Sequence, residues 1–264
     1  MLENCLSEVS VNSDSFKWPN GQQGAVSLRF DDSMDSHIQR AAPLLEQHGL
    51  RGTFYICPAG PDDQWRARAA EWKPVLEAGH EIGNHTMNHP IPAALADRPG
   101  PNCYENLTLE KYAADVLAAH NRLENAFGPR DWTFAYPCYQ TWVGRGRQCR
   151  SVVPFIAEHF LAAAAGGEIS KPFNDPRYCD LHVLLSLRAD NLPIADLIRR
   201  VEQAVSMGRW AILTFHGIQE GHLPVSAPVL DGLAAYLATN RERIWTAPVA
   251  EVARHTYDAG RDHQ

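Results

Sequence analysis

His85 and His89, four residues apart in His85-Thr86-Met87-Asn88-His89, are the first residues of this sequence whose types and spacing suggest chemistry. On a helical turn they would share one side, close enough for two imidazole nitrogens to reach one ion at about 2.0–2.1 Å. A carboxylate as third ligand leaves a position open for water, which is the arrangement of a catalytic metal site. The Asp31-Asp32 doublet offers candidates for that carboxylate. Adjacent carboxylates repel unless something positive lies close, so the doublet points to a metal or to a reacting proton. His216, in Phe215-His216-Gly217, adds a proton-carrying group late in the chain. The HxxxH spacing also fits surface or core histidines, and a loop Asp also caps helices.

The elements that must position these residues are short apolar runs alternating with helical patterns. Ala25–Phe30, Gly52–Ile56, Glu81–Gly83, Thr133–Tyr136, Phe160–Ala163, Val183–Leu185, Trp210–Phe215 and Ile244–Thr246 read as buried strands. Asp35 can cap a helix carrying Ile38, Ala42 and Leu45 up to Gly49, and Thr108 can cap one carrying Tyr112, Val116, Leu123 and Phe127 up to Gly128. Similar periods cover Ile194–Met207, Val229–Thr239 and Val249–Tyr257. Seven or eight strand–helix units predict an α/β fold, a distorted TIM-like (β/α)7–8 barrel, with a doubly wound open sheet as the alternative. In such a barrel the loops after the strand C-termini build the site, and the Asp doublet, the two histidines and His216 all follow strands. The stretches 138–155 and 166–180 lack an apolar period and read as long loops over the mouth.

No linker, repeat or compositional break divides the 264 residues, so 1–264 reads as a single catalytic domain. A net charge of −7 offers no broad basic surface for nucleic acid or anionic lipid. No apolar run of membrane-spanning length and no basic-then-apolar signal in Met1–Ser10 is present, so the chain as given reads as soluble and cytoplasmic, or as secreted if a leader has been removed. The six cysteines, Cys5, Cys57, Cys103, Cys138, Cys149 and Cys179, show no zinc-finger spacing and read mainly as free thiols, with a Cys138 disulfide to Cys149 or Cys179 left open.

From Trp18 to about Tyr257 the sequence resembles the polysaccharide deacetylases, carbohydrate esterase family 4, also called the NodB homology domain. The resemblance rests on Ser27-Leu28-Arg29-Phe30-Asp31-Asp32, on Gly79 to His89, on Phe134-Ala135-Tyr136-Pro137 and on Leu213-Thr214-Phe215-His216. It implies a metal-dependent hydrolase that removes N- or O-linked acetyl groups from a polysaccharide or oligosaccharide. Asp31 would then be the general base, Asp32, His85 and His89 the ligands of one divalent ion, commonly zinc with cobalt or nickel as alternatives, and His216 the general acid. Thr86 matches the residue that steadies the loop between the histidines, and the Cys138 N–H, after Pro137, would be an oxyanion donor.

The chain departs from the family pattern in three places. Ala135 stands where the family has an arginine paired with the base. Arg29, two residues before Asp31 on one strand and so on the same face, is the candidate replacement, where the family usually has Thr. Cys138 stands where the family has a tyrosine or glycine. The acidic residue that orients the acid histidine is not recognisable; Asp190 is the candidate, with Asp180 behind it and a helix N-cap as the other reading of Asp190. Tyr136, Tyr139, Trp142 and Arg145 could stack on or contact sugar, or pack the loop, and His80 reads as structural. A cyclic-amide hydrolase on the same barrel and a non-catalytic carbohydrate-binding relative are the competing functions.

Overall fold

The computed structural model describes residues 16–166 and 173–261; Cys5, the Met1–Ser10 stretch and residues 167–172 of the loop expected at 166–180 lie outside the described residues. The Ala25–Phe30 run forms β1 (Gly24–Phe30), every residue of which is buried, as a parallel strand covered on both faces requires. β2 (Thr53–Ile56), β3 (Glu81–Asn84), β4 (Thr133–Ala135), β7 (Ala162–Ala164), β8 (Leu187–Arg188) and β9 (Trp210–Phe215) join it in one parallel sheet, ordered β7-β4-β3-β2-β1-β9-β8. β10 (Ile244–Thr246) pairs with the first half of β1, and β2 pairs with its end. The sheet curls, and the segment leading into β8 closes on β7: Ala163 and Ala165 N–H donate to Leu181 O and Leu184 O, both at 2.8 Å. The result is a distorted (β/α) barrel wrapped by helices, and the open-sheet alternative is set aside.

Three expectations are corrected. The strand expected at Val183–Leu185 falls at Leu187–Arg188, while Leu184 makes only an isolated bridge to Ala164. The stretch 138–155 is not a featureless loop, because a hairpin of β5 (Trp142–Val143) and β6 (Arg150–Ser151) folds within it and α4 (Val153–His159) begins before it ends. Asp35 does not cap the first helix; a π turn (His37–Ala41) leads into α1 (Ala42–Gln47), the Glu220 carboxylate accepts from Ser36 N–H at 2.8 Å, and Asp35 pairs with Arg68.

α2 (Asp62–Glu77) crosses from β2 to β3, burying Trp65, Ala69, Trp72 and Val75. α3 (Leu109–Phe127) starts at Thr108, whose side chain accepts from Lys111 N–H, and stops at Gly128 with φ 81°. α5 (Ile194–Ser206), α6 (Ala227–Thr239) and α7 (Val249–Arg261) complete the outer layer. Between sheet and helices, Phe30 stacks on Phe54 and Phe215 with ring centres 5.0 and 5.4 Å away. That packing pins the ends of β1, β2 and β9, the strands that deliver Asp31 and His216.

Candidate active site and metal centre

Asp31 and Asp32 leave the end of β1, His85 and His89 follow β3, and His216 follows β9. Asp32 Oδ1 lies 3.3 Å from His85 Nε2 and 3.2 Å from His89 Nε2. The two histidines are not on a helix: the turn between them is a loop in which Thr86 (φ 66°) and His89 (φ 44°) take the left-handed region. Strain of this kind persists only where surrounding groups impose it. Here Asn84 Oδ1 accepts from Thr86 N–H, Thr86 Oγ1 accepts from His89 N–H, and Asp115 on α3 accepts from Met87 N–H at 2.8 Å and from Asn88. Asp32 and Ser33 also sit at positive φ, so the β1 loop is bent back over the strand end.

His85 Nδ1 lies 2.8 Å from Ala135 O. A carbonyl only accepts, so His85 donates from Nδ1, and Nε2 is the ring atom turned to Asp32. Asp32 Oδ1 is buried without a hydrogen-bond partner among the described residues. Burial alone would raise its pKa, but His85 and His89 outweigh it and hold the carboxylate well below its ordinary range. Ligands about 2.0–2.1 Å from a tetrahedral ion stand about 3.3 Å apart. The three atoms therefore have the spacing and donor set that a divalent ion requires.

Asp31 is buried, and burial would raise its pKa; Arg29 and His85 reverse that and lower it. Arg29 Nε donates to Oδ1 at 2.8 Å and Nη2 to Oδ2 at 2.6 Å, while Nη1 donates to Ser186 Oγ at 3.2 Å. The fully buried guanidinium lies between two rings, 5.2 Å from the centre of Tyr55 and 5.6 Å from that of Tyr139. Tyr55 lies so close against β3 that a Cβ on Gly83 would come 2.4 Å from its ring. Ala135 faces the same interior, as its neighbour Phe134 packs outward in the helix-covered core.

His216 Nδ1 lies 3.1 Å from both oxygens of Asp190, which also accepts from His216 N–H. Asp190 is therefore a partner of His216 and not a helix cap; α5 starts at Pro193 without a side-chain cap. Asp180 is elsewhere, accepting from His182 N–H. Burial would lower the His216 pKa, yet the Asp190 hydrogen bond and the nearby carboxylates raise it, and Nε2 points towards Asp32 Oδ2 at 3.8 Å. His37, buried under this loop, lies with Nε2 2.9 Å from His216 O.

The loop after β4 is divided. Cys138 (φ 50°) is partly exposed beside the carboxylates, and burial, then Asp32 and Asp31, push its thiol up to about 11. Tyr136 is fully buried with its hydroxyl on His182 O, so its ring has no free face for sugar; Pro137 is buried too. Trp142, in the hairpin, packs 6.3 Å from Tyr104, and Arg145 reaches Glu105 O and Asn106. His80 is buried at the start of β3, accepting from Gly52 N–H. Cys57, Cys103, Cys138, Cys149 and Cys179 are free thiols, so no Cys138 disulfide forms. Sequence reasoning missed Ser186, Tyr55, His37 and Asp115; only Asp115 left a signal, a carboxylate one residue before Val116 on the buried face of α3.

Residues 19–142 match the family model described as polysaccharide deacetylase. Over that stretch the chain is similar to that family. A gellan lyase of Bacillus sp. is 25% identical over 272 residues, covering 93% of this chain and 10% of the lyase. A peptidoglycan-N-acetylglucosamine deacetylase of Bacillus cereus is 35% identical over 74 residues, covering 27% of this chain and 32% of the deacetylase. The chain thus spans a third or less of the length of these relatives. A solved Mycobacterium smegmatis structure ascribed to the polysaccharide deacetylases superposes with a TM-score of 0.60 at 15% identity, covering 92% of this chain and 93% of that one, a likeness of fold.

Proposed function

We propose that this chain is a metal-dependent hydrolase that removes acetyl groups from a carbohydrate. The observation that carries this is the buried, unpartnered Asp32 Oδ1 facing two imidazole nitrogens at 3.2 and 3.3 Å, flanked by an arginine-paired Asp31 and a carboxylate-held His216. Asp32, His85 and His89 would hold the ion, with zinc the first candidate for a set of two nitrogens and one oxygen, and cobalt or nickel next. Such an ion supplies Lewis acidity, which polarises a carbonyl and makes water more acidic.

The chain's own residues supply the proton traffic. Asp31, kept ionised by Arg29, takes a proton from attacking water on a carboxylate oxygen. His216, with Nδ1–H held by Asp190 and its pKa raised, gives a proton from Nε2 to the departing amine or alkoxide. The Cys138 N–H is proposed as a donor to the developing oxyanion. Acetate release from an acetylated oligosaccharide tests this: Asp31→Asn is expected to lower kcat by roughly 10²–10⁴ while the protein still binds one equivalent of metal. Unchanged acetate release by that variant would remove Asp31 from the mechanism.

A further inference from the structure

Residues in register across a parallel sheet point to the same side, and one such row runs Arg29, Thr214, Arg188 through β1, β9 and β8. The preceding row, Leu28, Leu213 and Leu187, is packed in the core against the helices, so the row with the arginines faces the barrel interior. Arg29 and Thr214 are fully buried there, whereas the Arg188 side chain is 57% exposed, at the point where the row opens to the mouth. Its Nε lies 3.6 Å from Asp190 Oδ2, within ion-pair range but beyond a hydrogen bond. No other partner of this guanidinium occurs among the described residues.

His222 also flanks His216, exposed, with its ring centre 6.5 Å from that of His216. The loop that carries it is tied to the loop of Asp31 and Asp32: Glu220 accepts from Ser36 N–H, Ile218 N–H donates to Ser36 Oγ, and Arg40 donates to Ile218 O. A cavity of about 420 Å³ lined by Asn191, Pro193, Gln219 and Ser226 lies at the starts of α5 and α6, beside the same two loops. The proton steps above use neither Arg188 nor His222.

We propose that Arg188 and His222 bind a carboxylate on the sugar next to the acetylated one, so that the substrate class is an acidic, acetylated polysaccharide. This rests on the deacetylase reading and names its substrate class. A guanidinium fork meets a carboxylate with two parallel N–H···O bonds, a match that neutral sugar hydroxyls lack. Asp31 is taken by Arg29, and Asp190, held by His216, meets Arg188 only at Nε, 3.6 Å away, which leaves the Nη1 and Nη2 edge of the fork without a partner among the described residues. In a chain of net charge −7, the exposed Arg188 guanidinium also attracts a polyanion locally.

The test compares kcat/KM for two acetylated oligosaccharides of equal length, one neutral and one carrying a uronic acid beside the acetylated ring. The unmutated protein is expected to prefer the acidic one, and salt is expected to weaken the preference. Arg188→Ala should cut that preference roughly tenfold, through KM, with Arg188→Lys and His222→Ala in between. No preference in the unmutated protein, or one that survives the double substitution Arg188→Ala, His222→Ala, overturns the inference alone. An equal fall in kcat on both substrates for Arg188→Ala would assign Arg188 to positioning Asp190 and likewise overturn it. No acetate from either substrate would overturn the deacetylase reading, and this inference with it.

Discussion

Arg29 grips Asp31 from two residues away on the same strand, with Nε and Nη2 each taking one carboxylate oxygen, at 2.8 and 2.6 Å. The period of two in a strand puts Arg29 and Asp31 on one side, and position 135 on β4, which faces the same interior, is a buried alanine. The ion pair with Asp31 is thus built from the strand that leads into it and not from a neighbouring one.

Exchanging the two positions tests that relationship. With Arg29→Thr alone, the burial that pushes Asp31 upward is unopposed by the guanidinium, so the carboxyl pKa rises and the acid limb of the kcat/KM–pH profile moves to higher pH. Leaving the buried carboxylate unpaired also costs on the order of 3–5 kcal/mol of stability. Adding Ala135→Arg to that variant is expected to return both the profile and the stability towards the starting values, whereas Ala135→Arg alone overfills the interior. A profile that does not move in Arg29→Thr would contradict the pairing's role.

Asp190→Asn examines the other side of the site. The raised pKa of His216 reflects burial, which lowers it, overcome by the Asp190 hydrogen bond and the nearby carboxylates. Removing the Asp190 charge lowers that pKa. An acid works only when protonated, so activity should fall away at lower pH than in the unmutated protein, and kcat should drop by about 10²–10⁴. The basic limb of the pH profile is the readout.

His37 ties stability to pH. Burial holds its pKa down to about 4, and its Nδ1 has no partner among rings of Phe30, Phe54 and Trp72. The unfolded chain, with an ordinary value near 6.5, binds a proton that the folded chain refuses. Stability therefore declines as pH falls from about 6.5 to about 4 and is fully present above that window, by up to about 3 kcal/mol for this group. His80, lowered to about 4 by burial and Arg51, adds to the same window. Denaturant midpoints at pH 7.5 and 5 should differ less in His37→Gln, which keeps an N–H for the His216 carbonyl.

The parallel strands were legible because strands buried on both faces are mostly apolar runs, and β1 and β9, buried at every position, keep that character around Ser27, Arg29 and Thr214. The gathering of Asp31, Asp32, His85, His89 and His216 followed from one topological rule, that residues after parallel strands share an end. Local backbone was not legible. The four-residue histidine spacing looked helical, yet two left-handed residues and Asp115, supplied from another helix, shape the turn. The second helix was overlooked although Trp65, Ala69 and Trp72 keep helical spacing, because charges crowd between them and Pro74 reads as a stop. Two-residue strands such as β8 carry too few residues for a period.

The central claim is that one divalent ion between Asp32, His85 and His89 is needed for acetyl hydrolysis. Acetate release from an acetylated oligosaccharide, followed on chelator-treated protein before and after adding one equivalent of zinc, cobalt or nickel, tests it most directly. The structure predicts that release stops on chelation and returns with at least one of these ions, but not when His85 or His89 is alanine. Full activity in chelated protein, or in either histidine variant, would contradict it.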